Sequence, residues 1–104
     1  MENIFWRGYC NYDRNSAISK IEEIVNEHGY IIDFMPFSDL SISIIIEVQE
    51  YNLDKLYSAL YSYLKMDSFE ELNSPSTTER LVFLNITFIK GTGNLRIEIP
   101  DVPG

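Results

Sequence analysis

Apolar residues return at two different periods along this chain, and the period decides the element. Ile42, Ile44, Ile46 and Val48 fall on every second residue, the period of a strand with one face against a core. Ala17, Ile18, Ile21, Ile24, Val25 and His28 fall three and four apart, with Lys20, Glu22, Glu23, Asn26 and Glu27 on the opposite side, the stripe of an amphipathic helix. The spacing predicts that helix over about 14–28, with Asp13 or Asn15 accepting its free first-turn amides and Gly29 closing it as a left-handed residue. Ahead of it, Ile4, Trp6 and Gly8 alternate with Phe5, Arg7 and Tyr9; apolar groups on both sides predict a central strand over 4–10.

Tyr30 to Phe37 and Ser41 to Glu50 predict two further strands joined by a turn at Ser38, Asp39 and Leu40. Three turn residues set Phe34 opposite Ile44 and Ile32 opposite Ile46, leaving Asp33 on the other face. Two would carry an unpaired carboxylate under the helices, which is costly. A second helix is predicted over about 53–66, capped by Asn52, with Leu53, Leu56, Tyr57, Leu60 and Leu64 buried and Tyr61 and Tyr63 at its rims. The polar stretch from Asp67 to Glu79 reads as a mobile loop with one helical turn around Phe69 to Leu72. Val82, Leu84, Ile86 and Phe88 alternate with Phe83, Asn85 and Thr87 in a long strand over 80–90. Gly91 and Thr92 then suit a hairpin turn into a last strand through Leu95, Ile97 and Ile99, stopped by Pro100 and Pro103.

This order, with right-handed crossovers, implies an α+β fold over one domain of residues 1–104. The expected form is a ferredoxin-like βαββαβ sandwich with an extra C-terminal β-hairpin strand, and two helices on one face of an antiparallel sheet. The other face is left open. It is expected to carry Phe5, Arg7, Tyr9, Met35, Ile45, Phe83 and Thr87, a set too apolar for a fully solvated surface and therefore a candidate partner-binding patch.

Composition narrows the function classes. One Cys and one His among 104 residues exclude an intramolecular disulfide and a Cys/His zinc site. No apolar run reaches the length that crosses a bilayer, and the first residues lack the basic start and apolar stretch of a signal peptide, so the expected location is cytoplasmic. With 8 basic and 16 acidic residues the formal charge is −8, and the basic residues are scattered, which disfavours nucleic acid. The same excess steers encounter with a basic protein.

Residues 13–34, DRNSAISKIEEIVNEHGYIIDF, and 42–64, ISIIIEVQEYNLDKLYSALYSYL, together resemble an ACT domain. Such small regulatory modules commonly show an Asp-Arg-Pro-Gly type turn before an apolar helix, a Gly after it, and a strand that ends just before a Leu-rich helix. The resemblance implies a homodimer that binds an amino acid or similar effector at the first strand-to-helix turn, here Asp13, Arg14, Asn15, Ser16 and Ala17. Asn15 and Ser16 stand where that pattern has Pro and Gly. A glycine there would open the backbone to a ligand.

Other candidates read as structural. His28, on the apolar edge of the first helix, suits the terminal carbonyls. Cys10 lies at the opposite end of that helix and reads as a buried thiol. The pairs Glu22, Glu23 and Glu70, Glu71 point apart along their local structures and read as solvated faces. The sequon from Asn85 to Thr87 falls in mid-strand, and Gly91, Thr92 and Gly93 precede no helix. An acylphosphatase comparison through Arg14 fails, because GYCNYDR lacks that loop's glycine pattern. The sequence thus points to a non-enzymatic domain without cofactor or metal, sensing a small ligand or holding subunits together. The competing reading is an acidic inhibitor or immunity-type protein that engages a basic partner.

Overall fold

A computed structural model describes residues 3–38 and 40–89. Its elements are β1 (Ile4–Cys10), α1 (Arg14–Asn26), β2 (Gly29–Ser38), β3 (Ser41–Gln49), α2 (Leu53–Tyr61), β4 (Lys65–Met66) and β5 (Glu79–Phe88), with a 3-10 turn over Glu50–Asn52 leading into α2. The described residues form an α+β layer structure, two helices against a five-stranded mixed sheet in the order β2-β3-β5-β1-β4. The expected hairpin strand through Leu95, Ile97 and Ile99 lies outside the described residues.

One continuous core joins both helices to one side of the sheet. Trp6 and Cys10 of β1, Ile42, Ile44, Ile46 and Val48 of β3, and Val82, Leu84, Ile86 and Phe88 of β5 meet Ala17, Ile21, Ile24 and Val25 of α1 and Leu53, Leu56 and Leu60 of α2. These are the residues that the two periods selected, and both helices share that side. Burying each large side chain contributes roughly 1.5–3 kcal/mol relative to leaving it in water. Among the described residues no polar or charged residue is buried with them.

The expected antiparallel sheet is corrected by β5. It lies between β1 and β3, antiparallel to β3 but parallel to β1, with Phe5 beside Phe83 and Trp6 beside Leu84. A strand with apolar residues on both sides suits an interior place. Residues 67–78 carry the chain from β4, on the outer side of β1, across to β5 on its inner side. That segment is irregular, with no helical turn around Phe69 to Leu72. It is also well anchored, which corrects the reading of a mobile loop. The Asp54 carboxylate accepts the Leu72 and Asn73 amides at 3.0 and 2.8 Å. The Ser74 hydroxyl donates to Glu50, which also pairs with Arg80. Phe69 packs edge-on against Trp6 at 5.1 Å, and the Tyr57 hydroxyl donates to the Asp67 carbonyl.

α2 ends at Tyr61, short of the expected Met66, because the chain turns out to pair Met66 with Gly8 and Lys65 with Tyr9. Leu64 and Met66 stay buried. A Cβ on Gly8 would stand 3.0 Å from Met66 Sδ and 3.4 Å from Leu64 Cδ1, so the missing side chain is the space these two fill. Asn52 does not cap α2 with its side chain; it donates to the His28 carbonyl at 3.3 Å and ties the start of α2 to the end of α1.

In the hairpin, Phe34 faces Ile44 and Asp33 faces Ile45, as the turn argument requires. Ile31, not Ile32, opposes Ile46, because a bulge intervenes between Ile31 and Asp33; at the turn Ser38 pairs with Ser41 after a second shift. Bulges thus set the parity that the three-residue turn was expected to supply. Gly29 is the first residue of β2 and not a left-handed cap. A Cβ there would lie 2.5 Å from the Glu47 carbonyl oxygen, so only glycine admits this approach of two backbones.

Candidate functional site

The first strand-to-helix turn is closed upon itself. Asp13 caps α1, its carboxylate accepting the Ser16 amide at 3.0 Å, a bond that holds the Asp13 pKa below its usual value. The Asp13 carbonyl accepts from the Ala17 amide, and Ala17 is fully buried. Arg14 reaches across the layers to donate to the Ser38 carbonyl at 2.8 Å, and its guanidinium lies 5.4 Å from the centre of the Phe88 ring. Asn15 and Ser16 are exposed. The Ser16 amide, one of the first-turn amides that a ligand carboxylate would seek, is already bonded by Asp13, and Arg14 is engaged in joining α1 to the β2–β3 end of the sheet.

The open sheet face collects all seven residues assigned to it from sequence. Pairing sets them in rows: Phe5, Phe83, Ile45 and Asp33; then Arg7, Asn85, Ser43 and Met35; then Tyr9, Thr87 and Ser41. Phe5 is 72% exposed and stacks on Phe83 at 5.2 Å between centroids. Phe37, 64% exposed, adds an aromatic from the far strand. Between these rings runs a shallow groove of about 650 Å³, walled by Phe5, Phe83 and Phe37, floored by Ser43 and Asn85, and reaching Arg7 and Asp67 at the sheet margin. Arg7 and Asp67 approach within 3.9 Å, but both are well exposed, so their attraction contributes little.

Acids outnumber bases on this face. By register Asp33, Glu47, Asp67 and Glu79 belong to it or its rim, against Arg7 and Lys65. Glu47 and Glu79 lie close enough to share a hydrogen bond, which together with their mutual repulsion raises the Glu47 pKa above its usual value. They line a second depression, about 320 Å³, with Glu27, Tyr30 and Gln49.

The outer edge of β2 is blunted against strand addition. The Phe34 amide is taken by the Asp33 carboxylate at 2.8 Å, Pro36 has no amide hydrogen, and the bulge breaks the pairing line just before them. A partner therefore meets the face of this sheet more readily than the β2 edge.

The remaining candidates stay apart. Cys10 is buried, which raises its thiol pKa, and contacts Tyr12. His28 Nδ1 lies 2.9 Å from the Ile24 carbonyl at the far end of α1, about 20 Å away at the rise of a 13-residue helix. Glu22, Glu23, Glu70 and Glu71 are exposed. Among the described residues no group of three or more His, Cys, Asp or Glu is placed to hold a metal ion, and no helix is long and apolar enough to cross a membrane. Sequence reasoning missed Phe37, although it shares the parity of Asp33 and Met35 that placed Met35 on this face, and the meeting of Glu47 with Glu79, which depends on β5 lying beside β3. Compared with known protein families, with curated proteins and with solved structures, the chain has no match.

Proposed function

We propose that this chain is a non-catalytic, acidic protein-binding module of the inhibitor or immunity type, engaging a basic protein through its open sheet face. The observation that carries the reading is the exposed Phe5–Phe83 stack with Ile45 beside it, inside a rim of carboxylates. Aromatic anchors inside a polar rim are the usual anatomy of a recognition surface, and the formal charge of −8 favours a basic counterpart. The test is affinity capture from cell extract with the wild-type chain and with Phe5→Asp, at low and high salt. A basic protein held by the wild type, lost on Phe5→Asp and weakened by salt is the expected result; identical captures by both chains would remove the reading.

A second reading has one observation in its favour. With β5 set aside the remaining strands run β4-β1-β3-β2, the order of a ferredoxin-like frame, and α1 begins directly at the Asp13–Arg14 turn, as in the ACT-like domain that the sequence resembles. On that frame the chain is a homodimeric sensor of an amino acid. Isothermal titration with the amino acids, repeated on Arg14→Ala, decides it: heat that the variant abolishes supports sensing, and flat titrations eliminate it.

A further inference from the structure

We infer that the open sheet face is covered by this chain's own residues 94–99, laid back over it with Leu95, Ile97 and Ile99 against the Phe5–Phe83 stack and Ile45. β5 leaves this segment no edge to pair with, since Val82 to Thr87 are paired to β1 on one side and to β3 on the other. The outer edge of β2 is closed to it by the Asp33 bond, Pro36 and the bulge, and β4 offers only two residues. Yet the sequence KGTGNLRIEIP that follows Ile89 repeats apolar residues at Leu95, Ile97 and Ile99, a stripe that is stabilised by an apolar surface. The open face offers one, with Phe5 72% and Phe37 64% exposed.

The path is short enough and the charges permit it. The Phe88 and Ile89 amides donate to the Leu40 and Cys10 carbonyls, so the chain leaves the sheet at the end that carries Tyr9, Thr87 and Ser41. Lys90 to Gly93 reach up to about 13 Å when extended, more than the roughly 10 Å between packed layers. Gly91 and Gly93 admit the left-handed backbone of a tight reversal. Residues 94–99 then span roughly 20 Å, as far as β5 runs from Ile89 back to Phe83. A second copy of the chain would bring a charge of −8 to an acidic face, whereas in the segment Lys90 and Arg96 balance Glu98 and Asp101, so it meets no net repulsion. Its short tether also holds it at an effective concentration on the order of millimolar. The cover goes beyond the docking reading: it forms with or without a partner, which must displace it to dock.

Solution NMR of the full chain, labelled in isoleucine methyl groups and phenylalanine rings, tests this. Nuclear Overhauser contacts from the Ile97 and Ile99 methyls to the Phe5 or Phe83 ring are expected. Ile97→Ser should shift both ring signals, whereas Arg96→Ser, on the alternate side of the segment, should leave them in place. Absent contacts, or ring signals indifferent to Ile97→Ser, would overturn the cover. Equal shifts from the two variants would overturn it as well, since the stripe would then not be what meets the face. Contacts seen only between separately labelled chains in a mixed sample would overturn it in favour of a second copy. None of these readouts involves a partner, so the cover and the protein-docking reading fail separately, the latter being judged by the capture with Phe5→Asp.

Discussion

The two faces of β5 are made from one stretch of chain and have opposite fates. Val82, Leu84, Ile86 and Phe88 are sealed beneath the helices, whereas Leu81, Phe83, Asn85 and Thr87 remain partly open or exposed. Hydrophobicity alone does not separate them, for Phe83 is as apolar as Phe88. What differs is the cover: α1, α2 and the Phe69 ring lie on one side only. The sealed face is selected for volume and the open face for what it can meet.

The largest effect expected is on the sealed face. Leu84→Ala removes a fully buried side chain and should destabilise the fold by about 3 kcal/mol, read by urea denaturation. Phe83→Ala, one position away, loses only a partly open ring and its stack on Phe5, about 1 kcal/mol, while affecting partner binding far more. Equal losses from the two would break the contrast between the faces. Gly29→Ala brings a methyl group against the Glu47 carbonyl and Val48 on the sealed side and should cost about 1–3 kcal/mol. Asp54→Ala frees the Leu72 and Asn73 amides; a loss of about 1–2 kcal/mol is expected, with hydrogen exchange speeding up at those two amides. Unchanged exchange there would show that Phe69 alone holds the segment.

The smallest effects are electrostatic and have opposite signs on the two sides. Glu50, bonded to Ser74 and Arg80, and Asp13, bonded to Ser16, have folded pKa values below their ordinary ones. Their support is complete above the ordinary carboxylate range and fades as pH falls through the lowered folded values. Glu47 is the reverse. Its pKa is raised by Glu79, so the folded state takes up the proton more readily than the unfolded one, and the repulsion disfavours folding at neutral pH but is relieved as pH falls through that raised value. Glu47→Gln should therefore raise Tm slightly at pH 7, an advantage that shrinks toward pH 4; a gain that persists at pH 4 would mean that the repulsion is not its source.

The path from residues to fold is uneven for a physical reason. Side-chain period reports how many faces of an element are buried, and it was legible outside β2: the ladder of Ile42, Ile44, Ile46 and Val48, the stripe of α1, and the open-face set from Phe5 to Thr87 all stand where their spacing set them, whereas a bulge in β2 leaves Ile32 exposed and sets Ile31 opposite Ile46. Period carries no information about which strand lies beside which. The mixed sheet, with β5 parallel to β1, arises from pairing between residues more than seventy positions apart and from a crossover built of Asp54, Glu50 and Tyr57 contacts that leave no periodic trace. The end of α2 at Tyr61 was hidden likewise, because Leu64 is buried in either conformation and only the free edge of β1 selects the strand. By itself the amino-acid order determined which side of the helices and of β1, β3 and β5 turns from water; tertiary structure decided the neighbours and the bulges of β2, since hydrogen-bonded pairing between distant segments is settled by competition among whole arrangements and not by any local stretch of chain.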